Sequence, residues 1–413
     1  MKGTAEAPVA AILILLFAGC TDSSEPGQTE AAADFQKELQ FRLINAVAGD
    51  VISIPAGVHE INRSLSLNVS GVTIRGEGMD KTVLSFRNQV QGAEGMLVNA
   101  SDFMIEGLAI EDTVGDALKI NEGKNITIRR VRTEWTNGPD EDNGAYGIYP
   151  VQVENLLLEE CVAIGASDAG IYVGQSRNVV VRNNRAEYNV AGFEIENTIG
   201  ADVYGNIASN NTGGILVFNM PDLPQEGHST RIYQNQISGN NTDNFGAKGT
   251  PVASVPAGSG VLINSNDKVE IFDNDIADND TANIIISSYY STGYQGSRET
   301  VEHYDPFPET IYIYDNRFSG GGASPDGIEL KALKVALFGL TGSFPDVLWD
   351  GFVNSEKTDA NGHLKPEFAI CVDNGDAEVL NADLANDSDN ITRDSTQHRC
   401  RHEKIPPVTL TIT

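Results

Sequence analysis

Acidic and aromatic residues recur at fixed offsets behind a series of glycines in the middle of the chain. Glu194 and Glu196 follow Gly192 at the second and fourth places, and Tyr172 follows Gly170 at the second place. On a strand these places face one side, because side chains alternate. Two neighbouring carboxyl groups can act as acid and base in glycoside hydrolysis. The pattern therefore predicts a groove that binds a polysaccharide, with cleavage or isomerisation as the chemistry that the carboxyl pair could add.

The predicted groove residues fall into two groups. Glu194 and Glu196 form the predicted catalytic pair. The predicted substrate-binding residues lie on the same face or flank the strands, and they are Lys119, Tyr149, Asp168, Tyr172, Asn197, Phe218 and Asn219. Aromatic rings stack on sugars, while carboxylates and amides bond hydroxyl groups. The alternative is structural: the glutamates would form a solvated strand face, and the two tyrosines a packed stack beneath loops.

Lytic or epimerising chemistry on a uronate also needs a neutralising cation. The nearby basic residues are Lys119, Arg177, His228 and Lys248. Calcium could substitute, held by Asp140 and Asp142 with Glu141 or Asp168 as further ligands, although an acidic loop can also be merely solvated. The six histidines form no HxxxH or HxH group and no cysteine pair has metal-ligand spacing, so the sequence gives no support for a transition-metal site.

A repeat of about 22 residues must position these side chains. Stretches of a small residue followed by apolar residues begin at Ala117, Gly147, Gly170, Gly192, Gly214, Gly260, Asn283 and Gly327. Each is matched by a second short alternating strand, and the later members of that column are followed by an asparagine: Asn184, Asn206, Asn235, Asn274 and Asn316. Cys161 continues the column as a buried structural residue. Short strands at this spacing predict a parallel β-solenoid.

This pattern resembles the right-handed parallel β-helix of pectin-lyase-like proteins, in which an asparagine ladder marks a bend between strands. The stretches Gly49–Gly57 and Gly71–Gly78 are typical of the N-terminal coils of that superfamily. The chain is also similar to bacterial β-helix lipoproteins without a settled activity. The resemblance covers Asp50 to about Leu330 and implies an all-β, single-stranded right-handed solenoid with substrate over the Gly-strand sheet.

The sequence lacks the catalytic motifs of the enzyme families that share this fold. The Asp-Pro-His motif of alginate epimerases is absent, as are the signatures of polygalacturonases and pectate lyases. A non-catalytic surface or periplasmic scaffold is therefore the main alternative function. A weaker alternative is an accessory factor resembling the periplasmic β-helix protein of nitrous-oxide reductase copper assembly. The scarcity of cysteine and histidine counts against this alternative.

The predicted domain organisation follows the repeat. Residues 1–19 are a signal peptide and 20–33 a flexible tether beginning at a lipidated Cys20. Residues 34–331 form the β-helix, with Phe35, Leu39, Leu43 and Val47 at helical spacing in a capping helix over 34–48. Residues 332–413 form an irregular C-terminal cap. Long loops flank the Gly-strands on both sides, at 134–143, 242–257, 220–228 and 289–309, and would wall the groove.

The N-terminal signal predicts export. Leu16 to Cys20 resembles a lipoprotein lipobox, with Phe17 as a departure from its usual residues. Thr21 after the cysteine favours the outer membrane of a Gram-negative cell by the sorting pattern, so the expected membrane contact is the lipid anchor alone. An ordinary secretory signal is the alternative. In an oxidising compartment Cys371 and Cys400 could form a disulfide or stay free.

The charge balance limits the partners. With 28 Lys and Arg against 58 Asp and Glu, the formal charge is −30. This excludes an ordinary nucleic-acid binder, which needs a basic surface. It also disfavours a polyuronate unless calcium bridges it, because like charges repel on approach.

Overall fold

The chain folds into successive coils, each contributing one short strand to each of three parallel stacks. The computed structural model describes residues 26–292 and 304–411, with side chains from residue 34 onward. The 28 strands join in one parallel network. In chain order they are β1 Val51–Ser53, β2 Gly57–Glu60, β3 Arg63–Leu67, β4 Thr73–Arg75, β5 Thr82–Ser85, β6 Gln91–Val98, β7 Phe103–Glu111, β8 Leu118–Glu134, β9 Tyr146–Glu159, β10 Val162–Ile164, β11 Ala169–Gly174, β12 Arg177–Arg182, β13 Arg185–Glu187, β14 Ala191–Glu196, β15 Ile199–Tyr204, β16 Ile207–Ser209, β17 Gly213–Phe218, β18 His228–Tyr233, β19 Gln236–Ser238, β20 Ser259–Asn264, β21 Asp267–Phe272, β22 Asp275–Ala277, β23 Ala282–Ser287, β24 Ile311–Tyr314, β25 Arg317–Ser319, β26 Val347–Trp349, β27 Ile370–Asp373 and β28 Val379–Asn381.

Three stacked sheets result, and the fold is an all-β right-handed parallel β-helix, as predicted. The Gly-strand sheet holds β3, β6, the first parts of β8 and β9, and then β11, β14, β17, β20, β23, β26 and β28. The second sheet contains β12, β15, β18, β21, β24 and β27. The third contains β10, β13, β16, β19, β22 and β25.

The alternation of side chains fixes which residues fill the interior. Ile171, Phe193 and Ile215 are register partners on successive Gly-strands, and all are fully buried in the central core. Their neighbours one place along point to the opposite face of the sheet. This places Tyr172, Glu194 and Leu216 in one row on the outer face, as the offsets in the sequence predict.

Asparagine amides form the predicted ladder through the bend between the second and third sheets. Asn206 donates through Nδ2 to Oδ1 of Asn235 at 3.0 Å, and Asn235 donates likewise to Asn274 at 2.9 Å. Asn184 and Asn316 continue the row at its two ends. Cys161 is buried and donates its backbone N–H to the Asn184 amide. Each amide satisfies backbone groups that would be costly to bury alone.

A second asparagine ladder lies at the bend before the Gly-strand sheet and escaped the sequence analysis. Its members stand five places after those of the first ladder, at Asn189, Asn211, Asn240 and Asn279, and successive amides are bonded at 3.0 Å. All four are completely buried. The two ladders together fix both ends of the third sheet.

The N-terminal helix differs in its bounds from the predicted one. Helix α1 spans Pro26–Ile44, so it begins inside the predicted tether and ends before residue 48. Leu39 and Leu43 are buried against the first coil as predicted, whereas Val47 lies beyond the helix and is 63% exposed. The predicted signal peptide and the predicted lipidated Cys20 lie outside the described residues. No helix in the described part is long and apolar enough to cross a membrane.

The C-terminal part corrects one predicted coil. The stretch from Gly327 is not a Gly-strand, because Ile328–Phe338 forms helix α2 in an insertion after β25. The solenoid instead resumes at β26 and continues through β28, beyond the predicted limit at residue 331. Cys371 on β27 is joined to Cys400 by a disulfide. Short 3-10 turns complete the chain, at Pro251–Ser254, Tyr289–Ser291, Ser355–Lys357, Pro366–Phe368, Leu384–Asn386 and Ser395–His398.

Candidate functional site in the Gly-strand groove

The outer face of the Gly-strand sheet forms the floor of a groove. One row of register partners runs along it from Lys119 through Tyr149, Tyr172, Glu194, Leu216, Leu262 and Ile285. A second row, two places later, runs through Gly174, Glu196, Phe218 and Asn264. The loops that flank these strands lie between β8 and β9, β17 and β18, and β19 and β20, where the sequence predicts them.

Three carboxyl groups converge on this floor. They belong to Asp168, Glu194 and Glu196, and with the rings of Tyr146, Tyr149 and Tyr172 they form what we call the acid–tyrosine cluster. Glu194 is 4% exposed, and its Oε2 is buried without a hydrogen-bond partner among the described residues. Asp168 and Glu196 are half-buried. The cluster is thus partly open, with one carboxyl group fully enclosed.

Burial makes these carboxyl groups hold protons at unusually high pH. Burial raises the pKa of Glu196 to about 7, although the Tyr172 hydroxyl bonded to it acts in the opposite direction. Burial and the charge of Glu196 raise the pKa of Asp168 to about 7. Burial, followed by the charges of Asp168 and Glu196, holds the pKa of Glu194 well above its usual range. Near neutral pH the cluster therefore contains both protonated and ionised carboxyl groups.

The three tyrosines pack together, and two of them bond the acids. Their ring centroids lie 4.4 to 4.9 Å apart. The Tyr172 hydroxyl donates to Oε1 of Glu196 at 3.0 Å, and the Tyr146 hydroxyl donates to Oδ2 of Asp168 at 3.3 Å. Burial raises the pKa of Tyr149 to about 12. The phenols therefore stay neutral hydrogen-bond donors at any physiological pH.

Gly174, two places after Tyr172 and on the same face of the strand, makes room for the Tyr172 hydroxyl. A methyl group on Gly174 would lie 2.3 Å from that oxygen. Gln175 completes the arrangement, because its Nε2 donates to the Tyr172 hydroxyl at 3.0 Å and to Glu196 at 3.3 Å. Glu196 is consequently oriented by two neutral donors and by no basic group among the described residues.

Lys119 lies at the N-terminal end of the cluster. Its ammonium group is 3.6 Å from Asp116 and 4.6 Å from the centre of the Tyr149 ring. Burial raises the pKa of Asp116, with the charge of Lys119 acting against it. The Lys119 ammonium group is therefore already engaged by the Asp116 carboxyl group and the Tyr149 ring.

Two predicted substrate contacts serve instead to hold a loop. The Asn197 amide donates to the carbonyls of Met220 and Gln225, at 3.0 and 2.7 Å, and accepts from the Met220 N–H. Asn219 bonds the backbone of Gly227 in both directions. Both amides are almost fully buried. They fix the loop after β17 against the solenoid, because a buried amide must satisfy its own donors and acceptors.

Asp140 and Asp142, the predicted calcium ligands on the acidic loop, are not part of the cluster, whereas Asp168, a further predicted ligand, belongs to it. Asp140 and Asp142 are exposed in the loop between β8 and β9, where the Asp142 N–H donates to the Asp140 carboxylate at 3.0 Å. Within the described ranges, the carboxylate group close enough to hold a metal ion is Asp267, Asp305 and Glu309, in another part of the chain. The Lys357 ammonium already contacts Asp305 and Glu309 there. Calcium at Asp140 and Asp142 stays a prediction.

The sequence pattern missed one member of the cluster and misjudged the accessibility of another. Tyr146 stands directly before Gly147, and only the register of β9 with β11 shows that its ring reaches Asp168 and Tyr172. Glu194 occupies the predicted row, but it is buried. The half-buried pair Asp168 and Glu196 is therefore better placed to meet a substrate than the predicted pair Glu194 and Glu196.

Comparisons with known proteins agree with this fold. A family model described as a right-handed beta helix region matches residues 70–223. The N-terminal fragment of gene product 12 of bacteriophage Phi29 superposes with a TM-score of 0.50 at 13% identity, covering 76% of this chain and 56% of that one. The A-module of the Azotobacter vinelandii mannuronan C-5 epimerase AlgE6 gives 0.49 at 17% identity, covering 78% and 86%.

A tailspike protein of the E. coli bacteriophage HK620, in complex with a pentasaccharide, gives a TM-score of 0.47 at 10% identity, covering 79% of this chain and 57% of that one. At such identities the likeness concerns the fold alone. The sequence matches no curated protein.

Proposed function

We propose that the Gly-strand groove binds a neutral polysaccharide and hydrolyses it with the carboxyl groups of Asp168 and Glu196. The observation that carries the proposal is the acid–tyrosine cluster itself: three carboxyl groups meet three closely packed tyrosines on a loop-walled floor. No basic side chain among the described residues bonds any of the three acids. Rings with neutral phenols suit the faces and hydroxyl groups of sugars. Lys119, the basic group at the end of the cluster, is already paired with Asp116, so it offers a uronate little compensation for the three acids.

The protonation state of the pair suits glycoside hydrolysis. Because the pKa of each group is raised to about 7, one carboxyl group can remain protonated while the other is ionised. The protonated group donates its proton to the glycosidic oxygen, and the carboxylate accepts a proton from the attacking water. Burial, and for Asp168 the charge of Glu196, disfavours ionisation of both groups at once. Tyr172 and Gln175 orient Glu196 by hydrogen bonds.

Binding and turnover on a polysaccharide panel test this proposal. The panel should contain neutral glucans, galactans, mannans and chitin fragments beside alginate and polygalacturonate, each with calcium or with a chelator. We expect binding and new reducing ends with a neutral member, and no effect of calcium. Tyr172→Ala should weaken binding, and Asp168→Asn or Glu196→Gln should abolish turnover while retaining binding.

The exposed Glu60 on β2 provides a matched control, because Glu60→Gln changes a glutamate outside the groove. Unchanged binding and turnover in all of the cluster variants would contradict the assignment of the groove. Binding that survives without any turnover in the wild type would instead favour a non-catalytic binding module. Binding confined to the uronates, with calcium required, would contradict the neutral substrate.

We also propose that the protein is exported and anchored by a lipid on Cys20. The support is the lipobox-like stretch from Leu16 to Cys20 and the polar residues that follow it. Metabolic labelling with an alkyne fatty acid in a Gram-negative host should label the wild type in the outer-membrane fraction. Cys20→Ser should lose the label. A label that persists in this variant, or a wild-type protein released unlabelled to the medium, would contradict the anchor.

A further inference from the structure

The groove changes character one coil beyond Glu194. In the register of the Gly-strand sheet, Leu216, Leu262 and Ile285 succeed Glu194 in the same row. A cleft of about 380 Å3 lies over this part of the sheet, and we call it the apolar cleft. Its volume falls within the range of small-molecule sites, about 300–1,000 Å3. An outward row of aliphatic residues would be unusual on a strand face that only meets water.

Loops and a helix build the walls of the apolar cleft. Pro251 and Val255 lie on one side, at the 3-10 turn before β20, and Leu330 of α2 and Met220 contribute further wall. These side chains come from separate insertions, none of which the solenoid core requires. Their convergence over Ile285 encloses an apolar volume outside the core.

The apolar cleft adjoins the acid–tyrosine cluster directly. Phe218 lines the cleft, and its register partner on the preceding coil is Glu196. Coils are spaced by about 4.8 Å, so Leu262 and Ile285 lie about 10–14 Å from Glu194 along the groove. The two regions therefore lie within the reach of one extended ligand along the groove.

The charges around the apolar cleft select the kind of group that can enter it. Asp350 is buried at the cleft and accepts hydrogen bonds from the backbone N–H groups of Ser288 and Phe352, at 2.6 and 3.1 Å. Glu329 of α2 stands at the exposed edge. An anionic group such as a fatty-acid carboxylate would be repelled here. A neutral apolar group fits both the lining and the charge.

We infer that the ligand is amphipathic: a neutral glycan that carries an uncharged acyl, alkyl or aryl group, with this group seated in the apolar cleft. The inference rests on the proposed function, because it places the sugar over the acid–tyrosine cluster. It goes beyond that proposal by giving the glycan an apolar substituent and by fixing the distance between this substituent and the sugar over the carboxyl groups. Leu262 and Ile285 are covered by the loops and α2, and the cavity that remains beside them is one that a plain homopolymer would leave unfilled.

A neutral fluorescent probe tests the apolar cleft by itself. N-phenyl-1-naphthylamine should bind the wild type saturably and with one equivalent per chain. Ile285→Glu and Leu330→Glu should each weaken this binding more than ten-fold, because a charge replaces a lining methyl group. Ile207→Glu is the matched control, since Ile207 is an exposed isoleucine on β16 of the third sheet. Leu330 lies on α2, outside the solenoid, so its variant separates lost binding from lost folding.

Disaccharides with and without an octyl chain test whether the sugar and the apolar group bind as parts of one ligand. The n-octyl β-glycosides of maltose, lactose, cellobiose and chitobiose should be compared with the free disaccharides. We expect the best octyl glycoside to bind at least ten-fold more tightly than its free sugar, and Ile285→Glu to remove that difference. An octyl chain that adds no affinity, or probe binding that both cleft variants leave unchanged, would overturn the inference.

The other outcomes are equally distinct. If the cleft variants convert a dimer to a monomer in gel filtration, a second copy covers the apolar cleft and the inference is wrong. If the naphthylamine probe binds but no glycan does, with or without an octyl chain, the proposed function fails and the amphipathic ligand fails with it. If free sugars bind and the probe does not, the proposed function stands and the inference alone is refuted.

Discussion

Replacing Glu196 with glutamine should stabilise the folded protein at alkaline pH. The amide is nearly isosteric and keeps an oxygen that can accept from Tyr172 and Gln175, which bond Oε1 of the carboxyl group. Glutamine carries no charge, however, so it is not penalised by burial beside Asp168 and Glu194. The variant should therefore lose turnover and gain stability, as expected where a site holds groups in an unfavourable state.

The magnitude follows from the pKa. The pKa of Glu196 is about 7 in the folded chain, against a usual value of 4.5. One pKa unit corresponds to ~1.4 kcal/mol, so the ionised group costs the folded state up to about 3 kcal/mol. Because the folded-state pKa is the higher one, this group's contribution is fully present below about pH 4.5 and is lost as the pH rises through about 7. Wild type and variant should be similar at pH 4.5 and differ by up to about 3 kcal/mol at pH 9.

Urea unfolding followed by circular dichroism at pH 4.5, 7 and 9 measures this difference. Glu60→Gln, on the exposed face of β2, is the control and should track the wild type at each pH. A free-energy difference between Glu196→Gln and wild type that does not grow with pH would refute the reasoning. The carboxyl group would then be ordinarily solvated, and the argument for a shared proton with Asp168 would fail with it.

Three further predictions concern the scaffold and the position of the cluster. Asn235→Ala should lower the free energy of unfolding by about 3 kcal/mol or more, because it leaves buried donors of Asn206 and the carbonyl of Val203 unpaired. Asn137→Ala, at an exposed asparagine, should have little effect in the same urea titration. Cys400→Ser should cost about 3–4 kcal/mol, since the bond to Cys371 closes a separation of 29 residues, and a reductant should reproduce the loss in the wild type alone. Gly174→Ala should displace the Tyr172 hydroxyl and weaken glycan binding about ten-fold in calorimetry, with an unchanged circular dichroism spectrum.

The coils were predictable because their signals are local and repeated. A small residue, two inward apolar residues and an asparagine after the next strand recur with little change around Gly170, Gly192 and Gly214. Because the same pattern recurs in each coil, a strand position that is ambiguous in one coil is fixed by the positions of its neighbours. The same regularity correctly placed Tyr172, Glu194 and Leu216 in one outward row.

The errors arose where a local pattern has more than one structural use. The residues after Gly327 read as a small residue followed by alternating apolar ones, yet they begin α2, since no strand partner stands one coil away. Asn197 and Asn219 follow Gly-strands as a polar binding residue would, but their partners are the backbone of a loop whose path the sequence does not show. Burial of Glu194 likewise depends on neighbouring coils.

The charge of the groove argues for the neutral substrate more strongly than the total of −30 does. Lys119, the cation at the end of the cluster, is engaged by Asp116, and Lys357 is engaged by Asp305 and Glu309 elsewhere. The carboxyl groups of the cluster thus retain protons near neutral pH and are not paired with bases among the described residues. A polyuronate would add charge where protons are already retained to avoid it. A neutral glycan needs no such compensation, and it can use the protonated acid directly as the proton donor to its leaving oxygen.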